Sequence, residues 1–319
     1  MNMEILKLKP VFKDYIWGGT RLRDDFGYDC ELDPVAEGWM LSCHKDGKST
    51  VDGGAFDGEA LEDIIEKFGK INVVGTRAAD FPYFPVLIKL IDAKDNLSIQ
   101  VHPDNDYAAR VEHEFGKTEI WYVLDATDDA KLIYGFKEKI SSEEFKAAIE
   151  NNTLMDVLNV VNVKKGDLFF IEAGTVHAIG KGALIAEIQQ NSNSTYRVYD
   201  YGRVGKDGKP RELHIQKAVD VSKTEPAKYE IKPFGGEIKT DGGTAQLLTK
   251  CDLFTVNRFV LKSKMIFEAD EKSFNHILVL SGSGSIENQA FKKGDSFFVP
   301  ANFGKYEIEG NAEILITNI

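Results

Sequence analysis

Gln100, His102, Glu119 and His177 have the side-chain types and spacing to hold a divalent ion. In L-S-I-Q-V-H-P, residues 97–103, Gln100 and His102 stand two apart, so an extended strand would project both from one face. Glu119 ends the run G-K-T-E at 116–119, and His177 ends G-D-L-F-F-I-E-A-G-T-V-H at 166–177. Two imidazoles, a carboxylate and an amide oxygen suit zinc or another first-row divalent ion, with room left for water or substrate. A lone histidine in a strand is more often a surface or hydrogen-bonded residue than a ligand, so the spacing needs support from elsewhere in the chain.

An internal duplication supplies that support. Residues 166–177 align in frame with G-D-S-F-F-V-P-A-N-F-G-K at 294–305. Upstream, E-I-W-Y-V-L-D-A at 119–126 aligns with N-H-I-L-V-L-S-G at 275–282. Two copies of one β-unit are expected. At the aligned positions Glu119 faces Asn275 and His177 faces Lys305, so the second copy has no ligands there and is expected to bind no metal. His44, His113, His214 and His276 lack comparable partners and are read as structural or surface residues. Cys30, Cys43 and Cys251 are odd in number, lack zinc-site spacing and read as reduced thiols.

The elements that must position these residues are mostly short β-rich runs, at 84–91, 119–124, 167–171, 184–190, 254–261, 276–280 and 313–318, separated by Gly, Asn and Asp clusters. That spacing is the pattern of a β-sandwich or barrel. Helical periodicity appears at 57–69 and again over 140–160, where Ser141 or Ser142 can cap a helix with acidic residues in its first turn. Residues 203–211 read as a turn-rich loop, and 235–243 as a domain boundary.

The chain has 319 residues, with 39 Lys+Arg against 51 Asp+Glu for a net charge of −12. An acidic chain with no basic run repels a phosphate backbone, which argues against nucleic-acid binding. No segment approaches the ~18 apolar residues of a membrane span. The first ten residues lack the apolar run of a signal peptide, so a cytoplasmic location is expected. A phosphorylated metabolite would have to be drawn in by a local cationic pocket.

With these motifs in view, the chain resembles a known family. G-x5-E-A-G-x2-H at 166–177 is similar to the second cupin motif, with Glu172 where proline is usual. Gln100-x-His102 followed by Glu119 takes the place of the usual H-x-H…E. Together with G-K-T-E, W-G-G at 17–19 and Q-N-S-N-S-T-Y-R at 190–197, this resembles the short bacterial form of the type I mannose-6-phosphate isomerases. The resemblance implies a mainly β fold of two cupin (jelly-roll) domains with a small helical insertion. Residues 1–235 would form the catalytic metal-binding domain, and 236–319 a degenerate C-terminal one.

It also implies interconversion of mannose 6-phosphate and fructose 6-phosphate through a cis-enediol, with one Zn2+ per chain held by Gln100, His102, Glu119 and His177. Arg197, Lys117 and Glu187 carry over as catalytic candidates. Lys117 sits two residues before a ligand, Arg197 offers a permanently charged fork of donors, and Glu187 offers a proton relay or a hydroxyl contact. Ser98 and Arg203 carry over as the phosphate-binding pair, Arg203 standing where long-form relatives have lysine. Lys89, Glu37 and Asn193 complete an outer set. Asn193 departs from the family's Q-N-S-D, removing a carboxylate, and a change in rate or pH dependence is expected from it. The alternatives are a non-catalytic sugar-phosphate-binding bicupin and another metal-dependent cupin enzyme such as an oxygenase, which the Gln100 amide disfavours. The proton-transfer base, the metal used in the cell, the oligomeric state and the physiological direction are left open.

Overall fold

The structure is a computed structural model and describes residues 3–205 and 208–319. Residues 206 and 207 of the 203–211 loop lie outside the described residues.

Two antiparallel sheets form the N-terminal sandwich. One has six strands, in the order Leu168–Ile171, Glu119–Ala126, Ala183–Gln190, Val86–Ala93, Glu37–Leu41 and Val11–Lys13. The other has five, in the order Leu158–Asn162, Lys131–Phe136, His177–Ile179, Ile99–Val101 and Tyr196–Tyr199. Because side chains alternate along a strand, the six-stranded sheet serves two cores. Trp121, Val123, Ile91 and Ile185 face the five-stranded sheet, meeting Leu132, Tyr134 and Ile179. Ile120, Tyr122, Ile88 and Ile188 face the other way and pack on Leu278, Leu280, Phe298 and Leu315 of the C-terminal part. Burial on both faces explains why these strands read as nearly unbroken apolar runs.

The duplication is visible in strand register. Ile171 pairs with Glu119 and Leu168 with Tyr122; in the second copy Val299 pairs with Asn275 and Ser296 with Leu278, the same offsets. Each copy has a β-bulge at the matching point, skipping Leu124 in one and Leu280 in the other. The C-terminal strands belong to a ten-stranded sheet that also takes in Leu6–Lys9 and Thr50–Val51. A second link joins the two parts: Ser296 Oγ donates to the Met40 carbonyl at 2.7 Å and accepts from buried His276 Nε2 at 2.8 Å.

The expected strands form. The expected helices form in part. The stretch at 57–69 yields a helix over Leu61–Phe68, ended by Gly69 at φ 87°. The helix expected over 140–160 stops at Glu150: Ser142–Glu150 carries a full capping box between Ser141 and Glu144, and a short turn follows at Leu154–Val157. Leu158–Asn162 is instead a strand, because β-branched Val160 and Val161 prefer extended backbone and pair with Lys131–Phe136. The segment at 235–243 is not a linker alone, since Ile238–Thr240 makes a hairpin with Gly243–Lys250. A helix not anticipated, Asn105–Val111, starts directly after the 97–103 motif, with the Asp104 side chain accepting from Tyr107 N.

Candidate metal centre and cavity

Strand register gathers the candidates into two facing rows. On the five-stranded sheet, His177 pairs with Gln100, and Gln100 with Arg197, so the three side chains lie abreast. On the six-stranded sheet, Trp121 pairs with Glu187, Glu187 with Lys89, and Lys89 with Trp39. Lys89 sits in a largely apolar strand, where it points into the sandwich between these neighbours.

At the bottom lie His102, Glu119 and His177, at most 1% exposed, with potential ligand atoms all within 4.8 Å of one another. His102 Nδ1 is 2.9 Å from the Ser194 carbonyl and His177 Nδ1 is 2.8 Å from the Thr175 carbonyl. A carbonyl only accepts, so both Nδ1 atoms carry the proton and both Nε2 atoms are bare lone pairs. Those Nε2 atoms face each other at 3.1 Å. Glu119 Oε2 is 3.7 Å from His102 Nε2, and Oε1 is 3.6 Å from His177 Nε2. Neither Glu119 oxygen receives a well-directed hydrogen bond; the Lys117 ammonium lies 2.8 Å from Oε2 and 3.0 Å from His102 Nε2. Lone pairs and carboxylate oxygens converging in a dry site fit a bound cation, and Lys117 partly stands in for one.

The electrostatics agree. Burial, then the Glu187 charge, pushes the Glu119 carboxyl up to about 7. Burial pushes His177 down to about 3, and burial with the Lys117 charge holds His102 well below the usual imidazole range. Burial alone would raise Glu187, but Lys89 and Lys117 outweigh it and hold the carboxyl at about 2. Burial would likewise drive Lys89 down, and Glu187 and Glu37 outweigh that and hold it above the usual ammonium range. Lys89 Nζ sits 3.1 Å from Glu187 and 3.6 Å from Glu37. Trp121 and Trp39 donate indole N–H bonds to Glu187 and Glu37 at 2.9 and 2.7 Å.

Above this floor opens a cavity of about 310 Å³, lined among others by Glu37, Lys89, Ser98, Gln100, Lys117, Glu187, Asn193 and Arg197. Four cations, Lys89, Lys117, Arg197 and Arg211, line it against two carboxylates, Glu37 and Glu187, which makes a local cationic pocket in an acidic protein. Arg197 Nε is buried without a partner, while its Nη1 donates to the Glu212 carbonyl at 2.9 Å. Ser98 Oγ donates to Gln100 Oε1 at 3.3 Å.

Arg203 is not brought to the lining: its guanidinium is bonded to Asp200 and to the Asn96 carbonyl. Arg211 shares the same Asp200 through two bonds and does reach the cavity. Tyr15, Trp17 and Thr195, not among the sequence candidates, also line the cavity, and His214 plays the structural part expected of it, its Nδ1 accepting from the Arg197 backbone at 3.2 Å. Asn193 Nδ2 donates to Asp46 Oδ2 at 2.8 Å, so an aspartate at 193 would oppose that carboxylate.

The motifs are interlocked by backbone contacts. Thr118 N donates to Gln190 Oε1 at 3.0 Å and Thr118 Oγ1 accepts from Ala173 N at 3.2 Å, joining G-K-T-E to both other motifs. In the second copy the positions in register with Glu187 and Lys89 are Ile316 and Asn257. Asn275, at the place of Glu119, spends its amide on the Glu268 carbonyl and Tyr306 Oη, both at 2.9 Å. Among the described residues, His102, Glu119 and His177 form the cluster suited to a metal.

A jelly-roll sandwich with a buried His–Glu–His cluster under a cationic cavity defines a cupin with a candidate metal centre. Residues 5–129 match the family described as phosphomannose isomerase type I, catalytic domain, and residues 244–319 match the mannose-6-phosphate isomerase cupin domain. The chain is 40% identical over 322 residues to the probable mannose-6-phosphate isomerase GmuF of Bacillus subtilis, spanning 98% of each. It is 39% identical to mannose-6-phosphate isomerase ManA of the same organism over all of both chains. A crystal structure of the mannose 6-phosphate isomerase from Bacillus subtilis superposes with a TM-score of 0.91 at 36% identity, covering 99% of this chain and 100% of that one. The chain belongs to the type I mannose-6-phosphate isomerase family.

Proposed function

We propose that this chain interconverts mannose 6-phosphate and fructose 6-phosphate, with residues 1–235 carrying the chemistry and 236–319 forming the degenerate cupin. The observation that carries the reading is the placing of a His–Glu–His cluster with bare Nε2 atoms directly beneath a cavity lined by a buried Lys–Glu pair and two arginines. The reaction moves a proton from C2 of the open-chain aldose to C1 of the ketose. Gln100, His102, Glu119 and His177 would hold Zn2+, which when bound supplies a Lewis acid for the carbonyl and enediolate oxygens. Lys117 and Glu187 are the groups to which we assign movement of the proton, a role contributing roughly 10²–10⁴-fold. Glu187 is available as a carboxylate because Lys89 holds it ionised. Arg197, in the cavity lining with a buried and unpartnered Nε, would donate to substrate oxygen, a preorganised donor where charge develops. For phosphate, Ser98 and Arg211 face the cavity, and Arg203 braces Asp200 so that Arg211 keeps its aim; Glu37 and Asn193 close the rim.

The test is mannose 6-phosphate turnover before and after dialysis against a chelator, followed by zinc restoration. Activity is expected to vanish and to return with zinc. Turnover that survives complete metal removal would sink the metal's role. A zinc-loaded protein that binds the sugar phosphate without turning it over would instead mark a non-catalytic binding protein.

A further inference from the structure

Glu114 belongs to none of the motifs above, yet it joins two loops beside the site. The chain leaves His102, makes the helix Asn105–Val111, turns through His113 at φ 57° and comes back with Glu114 set between two loops. On one side, Glu114 Oε2 receives three donors from the loop after Gln190: Ser192 Oγ at 3.4 Å, Asn193 N at 3.3 Å and Ser194 Oγ at 3.2 Å. On the other, Oε1 meets Lys45 Nζ at 2.8 Å and His44 Nε2 at 3.5 Å, both at the Cys43–Lys48 hairpin. Ser192 Oγ also accepts from Ser194 N at 3.2 Å. Ser194 then offers its carbonyl to His102 Nδ1 at 2.9 Å.

We propose that Glu114 is a positioning residue for the metal centre: by gripping residues 192–194 it fixes the carbonyl that sets the tautomer and ring orientation of His102. The inference rests on the reading that this site holds a metal. The two oxygens serve the two loops separately: three donors converge on one, toward residues 192–194, while a cation takes the other. Burial would raise this carboxyl, and Lys45 with the Asn193 N–H outweighs it, so the group stays ionised. Orienting partners of this kind commonly govern metal affinity, although they never touch the ion.

The experiment uses the full chain with Glu114→Ala and Glu114→Gln. Zinc dissociation constants come from competition with a chromogenic chelator, and ligand geometry from the visible spectrum of the Co2+-substituted protein. Glu114→Ala is expected to weaken zinc binding by about 10–100-fold and to shift the Co2+ bands. Glu114→Gln keeps an acceptor for the serine hydroxyls and should recover most of that loss. A Ser192→Ala/Ser194→Ala double variant cuts the same link from the far side and carries the test if Glu114→Ala does not fold. Wild-type zinc affinity and an unshifted Co2+ spectrum in the alanine variants would overturn the inference and leave the metal site standing. A wild-type chain with no stoichiometric zinc would overturn the reading beneath it.

Discussion

Replacing Glu119 with alanine is expected to abolish tight zinc binding and to lower kcat/KM for mannose 6-phosphate by roughly 10³-fold or more, equivalent to about 4 kcal/mol of lost transition-state stabilisation. Glu119 is the carboxylate of the cluster, fully buried and facing both Nε2 lone pairs. Without it two neutral imidazoles and an amide remain, and no anion offsets a dication in a dry site. The substitution also strands the Lys117 ammonium, so Glu119→Gln is the companion variant. The amide keeps the volume and loses the charge, and activity should fall nearly as far while the thermal midpoint changes less. Metal content by elemental analysis, read beside the kinetics, separates a lost ligand from a lost fold.

Gly116→Ala is expected to lower activity by roughly 10²-fold, although it removes no side chain from the site. A Cβ at 116 would lie 2.5 Å from Asn105 N, 2.5 Å from the Asp104 carbonyl carbon and 2.9 Å from Pro103 O. All three contacts are backbone and cannot swing aside. Asn105 Oδ1 also accepts from Gly116 N and from Gln190 Nε2, both at 2.9 Å, so separating the two segments breaks the joint between G-K-T-E and the strand that carries Glu187. Lys117 and Glu119 follow directly and would be displaced with it. Steady-state kinetics with zinc titration checks this against Gly236→Ala, where an added Cβ meets nothing within 4 Å. Equal activity in the two variants would refute the argument.

The sequence made the strands legible because each is apolar through several residues, and it made the duplication legible because the copies match residue types in one frame, which the shared register and bulge then confirm. Glu119 and His177 were readable for a related reason, since position-matched loss in a second copy singles out what the first has kept, while Gln100 and His102 showed as two residues on one face of a strand. Lys89 announced itself as a charge inside L-I-K-L-I. What the sequence hid is set by long-range pairing. Nothing local tells Arg203 from Arg211, because both bond Asp200 and only three-dimensional placement decides which reaches the cavity. Glu114 carries no local signal, as its three donors come from 78 to 80 residues away. The strand at Leu158–Asn162 was lost inside a helical period because its β-branched pair, Val160 and Val161, is short and the pairing with Lys131–Phe136 that completes it is long-range.

The measurement that tests the central claim most directly is turnover of mannose 6-phosphate by the zinc-loaded chain in D2O, followed by NMR of the fructose 6-phosphate formed. Proton transfer through a cis-enediol, by a base in a cavity open to solvent, predicts product carrying solvent deuterium at C1. Product with no deuterium at C1 would mean that the C2 hydrogen reached C1 without meeting solvent, and would contradict proton transfer by a solvent-exchanging base.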